Sequence, residues 1–191
     1  MKKQAFLTFI FILLAVHTGL HAQTKNDKIL VAYFSWSGNA KALAGQIAQK
    51  TGGNLFEIKT IKPYPAVYDE CTKTARRELD ENARPAISGS VADMKQYETV
   101  FLCYPNWWGT MPMALFTFLE SYDFSGKTIY PLVTHGGGSF GRSLDDIRKS
   151  APKAVIGEGL SISAMSRNHE GPAVVKIPND NVASWLRKIG M

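Results

Sequence analysis

Residues 28–50 read KILVAYFSWSGNAKALAGQIAQK. Lys28–Phe34 is a short run rich in β-formers. Ala40, Leu43, Ala44, Ile47 and Ala48 then recur at i, i+3, i+4, i+7 and i+8, which is one face of a helix. Gly52–Gly53 stops that helix. A strand passes into a helix through one tight polar turn, Ser35-Trp36-Ser37-Gly38-Asn39.

The same alternation continues along the chain. Asn54–Ile61 alternates as a second strand and is ended by Pro63 and Pro65. A polar segment over residues 67–83 carries Tyr68, Cys71, Ala75 and Leu79 near helical spacing. Thr99–Tyr104 is a nearly all-apolar third strand, Pro112–Ser121 an apolar helix, and Thr128–Thr134 a fourth strand with Pro131 in its middle. Phe140–Ser150 reads as a helix, Ala154–Ser163 holds a fifth strand, and Val182, Trp185, Leu186 and Ile189 mark a last helix capped by Asn179 or Asp180. Five strands alternating with five helices predict an α/β, doubly wound parallel sheet with helices on both faces. Near-continuous apolar strands agree, since such strands are buried on both sides.

Ligands of open α/β sheets bind beyond the carboxyl ends of the strands, which directs attention to three loops. In the first, the helix start exposes backbone N–H groups and the positive end of a dipole. Ser35 and Ser37 can add hydroxyl donors, and Gly38 permits close approach. The turn is built like a phosphate cradle, although a serine-rich turn with a helix cap would read the same. It is neither a P-loop, because no glycine–lysine pair follows Gly38 at the required spacing, nor a dinucleotide fingerprint, because Trp36 stands where a glycine is needed. The second loop, Pro105-Asn106-Trp107-Trp108-Gly109-Thr110, places two indoles at a strand end. Neighbours in an extended segment point opposite ways, so both plugging the core is harder than both forming a ligand platform. The third loop, Thr134-His135-Gly136-Gly137-Gly138-Ser139-Phe140-Gly141, has three consecutive glycines that let backbone approach a ligand, and Phe140 could cover a ring. A phosphate for the first loop, a planar ring for the second and a polar ring edge for the third are the parts of flavin mononucleotide (FMN).

YFSWSGN after strand one, YPNWWGTMP after strand three and THGGGSFGRS after strand four together resemble the flavodoxin family, most closely its bacterial branch with paired tryptophans. The resemblance covers Lys28 to Met191. It implies a flavodoxin-like five-stranded sheet of order 2-1-3-4-5 with one bound FMN. It implies that Ser35, Trp36, Ser37, Gly38, Asn39 and Ala40 wrap the phosphate. Tyr104, Pro105, Asn106, Trp107, Trp108 and Gly109 would lie along the flavin. Thr134, His135, Gly136, Gly137, Gly138, Phe140 and Gly141 would bond its ring edge. A peptide within Asn106–Gly109 is expected to reorient on reduction. The expected function is electron transfer with an unidentified redox partner protein. An NAD(P)H-dependent flavin or quinone reductase on the same fold is the alternative, and a binding module with a decayed flavin site is a third reading. Two departures stand out. The family usually has threonine where this chain has Ala40, which predicts weaker FMN binding. Many flavodoxins are strongly acidic, whereas this chain carries 22 basic against 16 acidic residues.

Lys2 and Lys3, then twelve uncharged residues over Ala5–Val16, and Ala22 before a polar segment describe a secretory signal peptide over residues 1–22. Residues 23–191 would then form the flavodoxin-like domain, exported to the periplasm. A buried N-terminal helix or an uncleaved anchor are the alternatives, and membrane contact is expected only through such a segment. Basic residues are scattered, so no nucleic-acid partner is expected. Cys71 and Cys103 form no metal or redox motif and read as buried thiols rather than a pair.

Overall fold

The computed structural model describes residues 26–164 and 177–191; the signal peptide expected at 1–22 lies outside them. Strand β1 (Ile29–Tyr33) is buried at every residue and feeds α1 (Asn39–Thr51). Then follow β2 (Asn54–Glu57), β3 (Lys59–Thr60), α2 (Tyr68–Asp80), β4 (Ile87–Ser88), β5 (Thr99–Pro105), α3 (Met113–Glu120), β6 (Thr128–His135), α4 (Ser143–Ser150), β7 (Val155–Ile156), β8 (Leu160–Ser163) and α5 (Asn179–Lys188). The main sheet runs β2-β1-β5-β6, with β7 and β8 both beside β6, and every pairing is parallel. This is the expected order 2-1-3-4-5.

The sheet has a core on each face. Val31, Phe101, Cys103 and Leu132 pack with Leu43 and Ile47 of α1 and Val182 and Leu186 of α5. Leu30, Val100, Leu102 and Tyr104 pack on the other face with Leu115 and Phe118 of α3 and Ile147 of α4. Alternate residues of each apolar strand supply the two cores, as the period of two requires.

Four expectations need correction. The second strand does not continue to Ile61. Ile58 donates its N–H to the Tyr33 carbonyl at 2.7 Å and is buried, and Lys59–Thr60 then leave the sheet to pair antiparallel with Ile87–Ser88. The fifth strand is in two pieces. Pro131 has no N–H for a partner, and a Cβ on Gly157 would meet the Tyr130 ring at 2.3 Å and one on Gly159 the Pro131 carbonyl at 2.8 Å. The chain bulges over that ring between β7 and β8 and resumes pairing at Leu132 with Leu160. Helix α4 begins at Ser143 rather than Phe140, because Gly141 sits at φ +51° in a preceding turn. Helix α5 is preceded by Pro178 with no side-chain cap, and Asn179 and Asp180 lie inside its first turn.

Candidate functional site

The three loops leave adjacent parallel strands on one edge. Tyr33 lies level with Cys103, and Pro105 with Thr134. The Phe34 N–H reaches the Cys103 carbonyl at 3.0 Å, and the Asn106 N–H reaches the Thr134 carbonyl at 2.8 Å, so the loops start in register. Ser35, Trp107 and Gly137 therefore share one end of the sheet.

Gly38 caps α1 at φ +93°, a left-handed conformation that glycine adopts without penalty. A Cβ there would point into open space. No side chain caps the helix, and its first turn holds no acidic residue. The Ser35 hydroxyl accepts from the Gly38 N–H at 3.1 Å, and the Ser37 hydroxyl accepts from Asn39 Nδ2 at 3.2 Å. These bonds curl the turn and leave the hydroxyl protons available. A phosphoryl group fits this end of α1 on charge and hydrogen bonding. Asn39 and Ala40 are themselves buried, and alanine carries no hydroxyl, so Ala40 contributes only its backbone.

Loop 2 closes as a two-residue turn. The Trp107 and Thr110 backbones exchange hydrogen bonds of 2.8 and 3.1 Å, with Trp108 at φ +53° and Gly109 at φ +80° between them. That is the sign pattern of a type I′ turn, in which asparagine or glycine is usual at the first position. The turn is pinned from both sides. Asn106 Oδ1 accepts the Gly109 N–H at 3.0 Å, and the Gly109 carbonyl accepts the Arg142 N–H at 2.8 Å. Below it, Asp146 Oδ2 accepts from Thr110 Oγ1 at 2.5 Å and from Arg142 Nε at 3.0 Å. Loop 3 docks directly on loop 2. Asn106 Nδ2 donates to the Ser139 carbonyl at 2.7 Å, and Gly141 packs against Gly109. Gly136 and Gly137 stay exposed, and the Gly137 N–H donates to His135 Nδ1 at 2.9 Å. Desolvation lowers the His135 pKa from its ordinary value, favouring the neutral ring this bond needs.

Several expected ligand residues have other surroundings. Tyr104 is 0% exposed, and its hydroxyl shares a 2.8 Å bond with Ser143 under the sheet. Its ring supports the loop from within and is closed to a ligand. Thr134 is likewise buried. Phe140 does not lie over the loops: its ring rests against Gly159 on the fifth-strand side. The two tryptophans do not form one platform. Trp107 fills an aromatic nest at the core edge, with edge contacts to Phe34 at 5.3 Å and Tyr64 at 5.0 Å between centroids. Trp108 stands 52% exposed over α2, donating Nε1–H to the Thr72 carbonyl at 3.0 Å. Trp36 donates Nε1–H to the Pro65 carbonyl at 2.9 Å.

A cleft of about 390 Å³ opens between these rings and α2, with Tyr68, Cys71, Thr72 and Ala75 as its far wall. The expected site residues include none from α2. The signal was present in Tyr68, Cys71 and Ala75, which repeat at helical spacing on a helix whose other residues are mostly polar.

The pattern of the flavodoxin family matches residues 28–176. A protein of Bacteroides eggerthii DSM 20697, described as a flavoprotein, has a similar structure with TM-score 0.71 and 29% identity, covering 87% of this chain and 99% of that one. A Lactobacillus acidophilus NCFM flavoprotein solved in complex with FMN shares the fold at TM-score 0.62 and 20% identity, covering 71% of this chain and 93% of that one. A stretch of 96 residues is 26% identical to an NAD(P)H dehydrogenase (quinone) of Acidovorax ebreus (strain TPSY), covering 49% of this chain and 46% of that protein, so the match spans about half the length of this curated relative. With a sheet of order 2-1-3-4-5, three ligand-type loops on one edge and a family pattern spanning most of its length, the chain belongs to the flavodoxin family.

Proposed function

We propose that the protein binds one FMN across the three loops and transfers electrons to or from a partner protein. The observation that carries this reading is the shared edge: an uncapped, glycine-started α1 stands beside a pinned indole turn and a run of exposed glycines. The FMN held by the Lactobacillus acidophilus relative on the same fold supports it. When bound, FMN supplies reversible electron chemistry. The chain binds, orients and shields. Backbone N–H groups of α1 and the Ser35 and Ser37 hydroxyls would hold the phosphate. Asn106 and the Arg142 backbone fix the Gly109 peptide groups, which would lie along the flavin, and the Gly136–Gly138 backbone would offer hydrogen bonds to its polar edge. Reorientation of the Trp108–Gly109 peptide on reduction has one side-chain bond to break, from the Gly109 N–H to Asn106 Oδ1. Crystal structures of both oxidation states with an unchanged Asn106–Gly109 segment would rule that movement out.

The test of the main reading is an absorption spectrum with FMN titration. Purified protein is expected to carry or take up one equivalent of FMN; a colourless protein that ignores added FMN refutes it. The similarity to an NAD(P)H dehydrogenase (quinone) favours a second reading, a reductase on the same site. Steady NADPH oxidation by the FMN-loaded protein would select it over the carrier. We also infer export, supported by the uncharged stretch Ala5–Val16 after Lys2 and Lys3. Mature protein beginning at Gln23 is expected by mass spectrometry, and recovery of the intact N-terminus from the cytoplasm would refute it.

A further inference from the structure

A second pocket, of about 600 Å³, opens along a different stripe of α2. Thr74, Arg77, Glu78 and Glu81, at i, i+3, i+4 and i+7, form one wall; the chain leaving β3 and the chain entering β4 form the others. None of the residues expected to touch FMN lines it. We propose that this pocket binds a free dipeptide with apolar side chains, held by a cation and an anion one helical turn apart.

The frame is preformed. The Ile61 N–H donates to the Ala86 carbonyl at 2.8 Å, where the two segments part around the pocket. Pro63, Pro65 and Pro85, each with φ fixed by its ring, line it. Two of the charged lining residues are already committed. Glu78 Oε2 accepts from the Tyr64 hydroxyl at 2.6 Å, and Arg84 holds Glu120 through bonds of 2.7 and 2.9 Å. Lys62, Arg77 and Glu81 make no side-chain hydrogen bond or ion pair among the described residues. Arg77 and Glu81 have the spacing and order of Arg76 and Asp80, yet only the latter pair closes, at 2.8 Å. A cation and an anion thus stand apart on one wall with no counter-ion in contact. Ile61, on the opposite wall, is 67% exposed, more than any other large apolar side chain among the described residues. A ligand that answers all of this carries a carboxylate for Arg77 and Lys62, an ammonium for Glu81, and apolar groups for Ile61, Tyr64 and the prolines. Its length follows from the helix. Residues one turn apart have Cβ atoms about 5–6 Å apart, and two extended residues span at most about 7 Å. A single amino acid holds its two charges too close together, and the end of a protein chain offers only one of them. The volume lies in the usual range for small-molecule sites.

The experiment is calorimetric titration of the full chain, FMN-loaded and as apoprotein, with leucylleucine, its N-acetyl form, its C-terminal amide and glycylglycine. We expect saturable one-site binding of leucylleucine. Each blocked form should bind about fivefold more weakly, and glycylglycine at least about tenfold more weakly. Arg77→Gln should weaken leucylleucine about fivefold and leave the amide unchanged. Glu81→Gln should weaken leucylleucine about fivefold and leave the N-acetyl form unchanged. Both residues are exposed, so folding is safe in either variant. Absence of saturable binding, or variants that weaken every peptide alike, overturns the proposal. Equal binding of leucylleucine and its N-acetyl form also overturns it, because the pocket would then take the carboxyl end of a longer chain. If the protein takes up no FMN but the apoprotein shows the expected peptide and variant pattern, the flavin reading falls and this site stands.

Discussion

Replacing Gly141 by alanine tests how loops 2 and 3 are joined. A Cβ at Gly141 would sit 2.1 Å from the Gly109 carbonyl oxygen and 2.7 Å from its carbon. Both are backbone atoms, so no side chain can rotate away. The residue also lies at φ +51°, which costs alanine roughly 1–2 kcal/mol. Relief requires the two loops to part, and the first bond to break is the 2.8 Å one from the Arg142 N–H to that same carbonyl, worth about 1 kcal/mol. The expected destabilisation is roughly 2–3 kcal/mol, or about 5–10 °C in Tm for a domain of this size. FMN affinity should fall about tenfold, equivalent to about 1.4 kcal/mol, because the ring edge and the indole turn no longer face each other. Gly136→Ala is the control: its Cβ meets nothing within 4 Å, and it should change stability by less than about 0.5 kcal/mol. Urea denaturation of apoprotein and FMN titration measure both. If Gly141→Ala matches Gly136→Ala in urea denaturation and the unsubstituted protein in FMN titration, loops 2 and 3 are not docked as described.

Asp146→Ala removes the acceptor of both Thr110 Oγ1 and Arg142 Nε and strands a buried threonine hydroxyl. It should cost roughly 2–3 kcal/mol by urea denaturation, and a neutral result would make Asp146 a bystander. His135 has a folded pKa below its ordinary value of 6.5, so its contribution is present above that value and is lost as pH falls through the lower folded one. NMR titration should find the His135 midpoint below 6.5, with the Gly137 N–H signal moving alongside it; a midpoint at or above 6.5 contradicts this. Ala40→Ser restores a hydroxyl in the first turn of α1 and should tighten FMN about tenfold. No gain in the FMN titration would mean that this Cβ faces the sheet.

Much of the fold could be read because it follows from burial. Strands β1, β5 and β6 are wet on neither face, so their apolar runs announce themselves, and the loops that follow them mark the ligand edge. What stayed hidden depends on partners distant in sequence. Tyr104 looks like the start of a ligand loop, but alternation along β5 turns it toward Ser143. Phe140 follows the glycines, yet its ring goes to the space left by Gly159. The break between β7 and β8 arises from Pro131 and Tyr130 on the neighbouring strand. The polar face of α2 masked the few residues, Tyr68, Thr72 and Ala75, that complete the aromatic cleft. The indole pair was visible, but not that a left-handed turn would send the two rings to different neighbours.

Cys103 sits in the core shared with α1 and α5, while Cys71 lies on α2 across the sheet. Both are free and buried. A bridge between them exists only in a misfolded chain. Refolding yield should therefore hinge on keeping thiols reduced until the sheet closes.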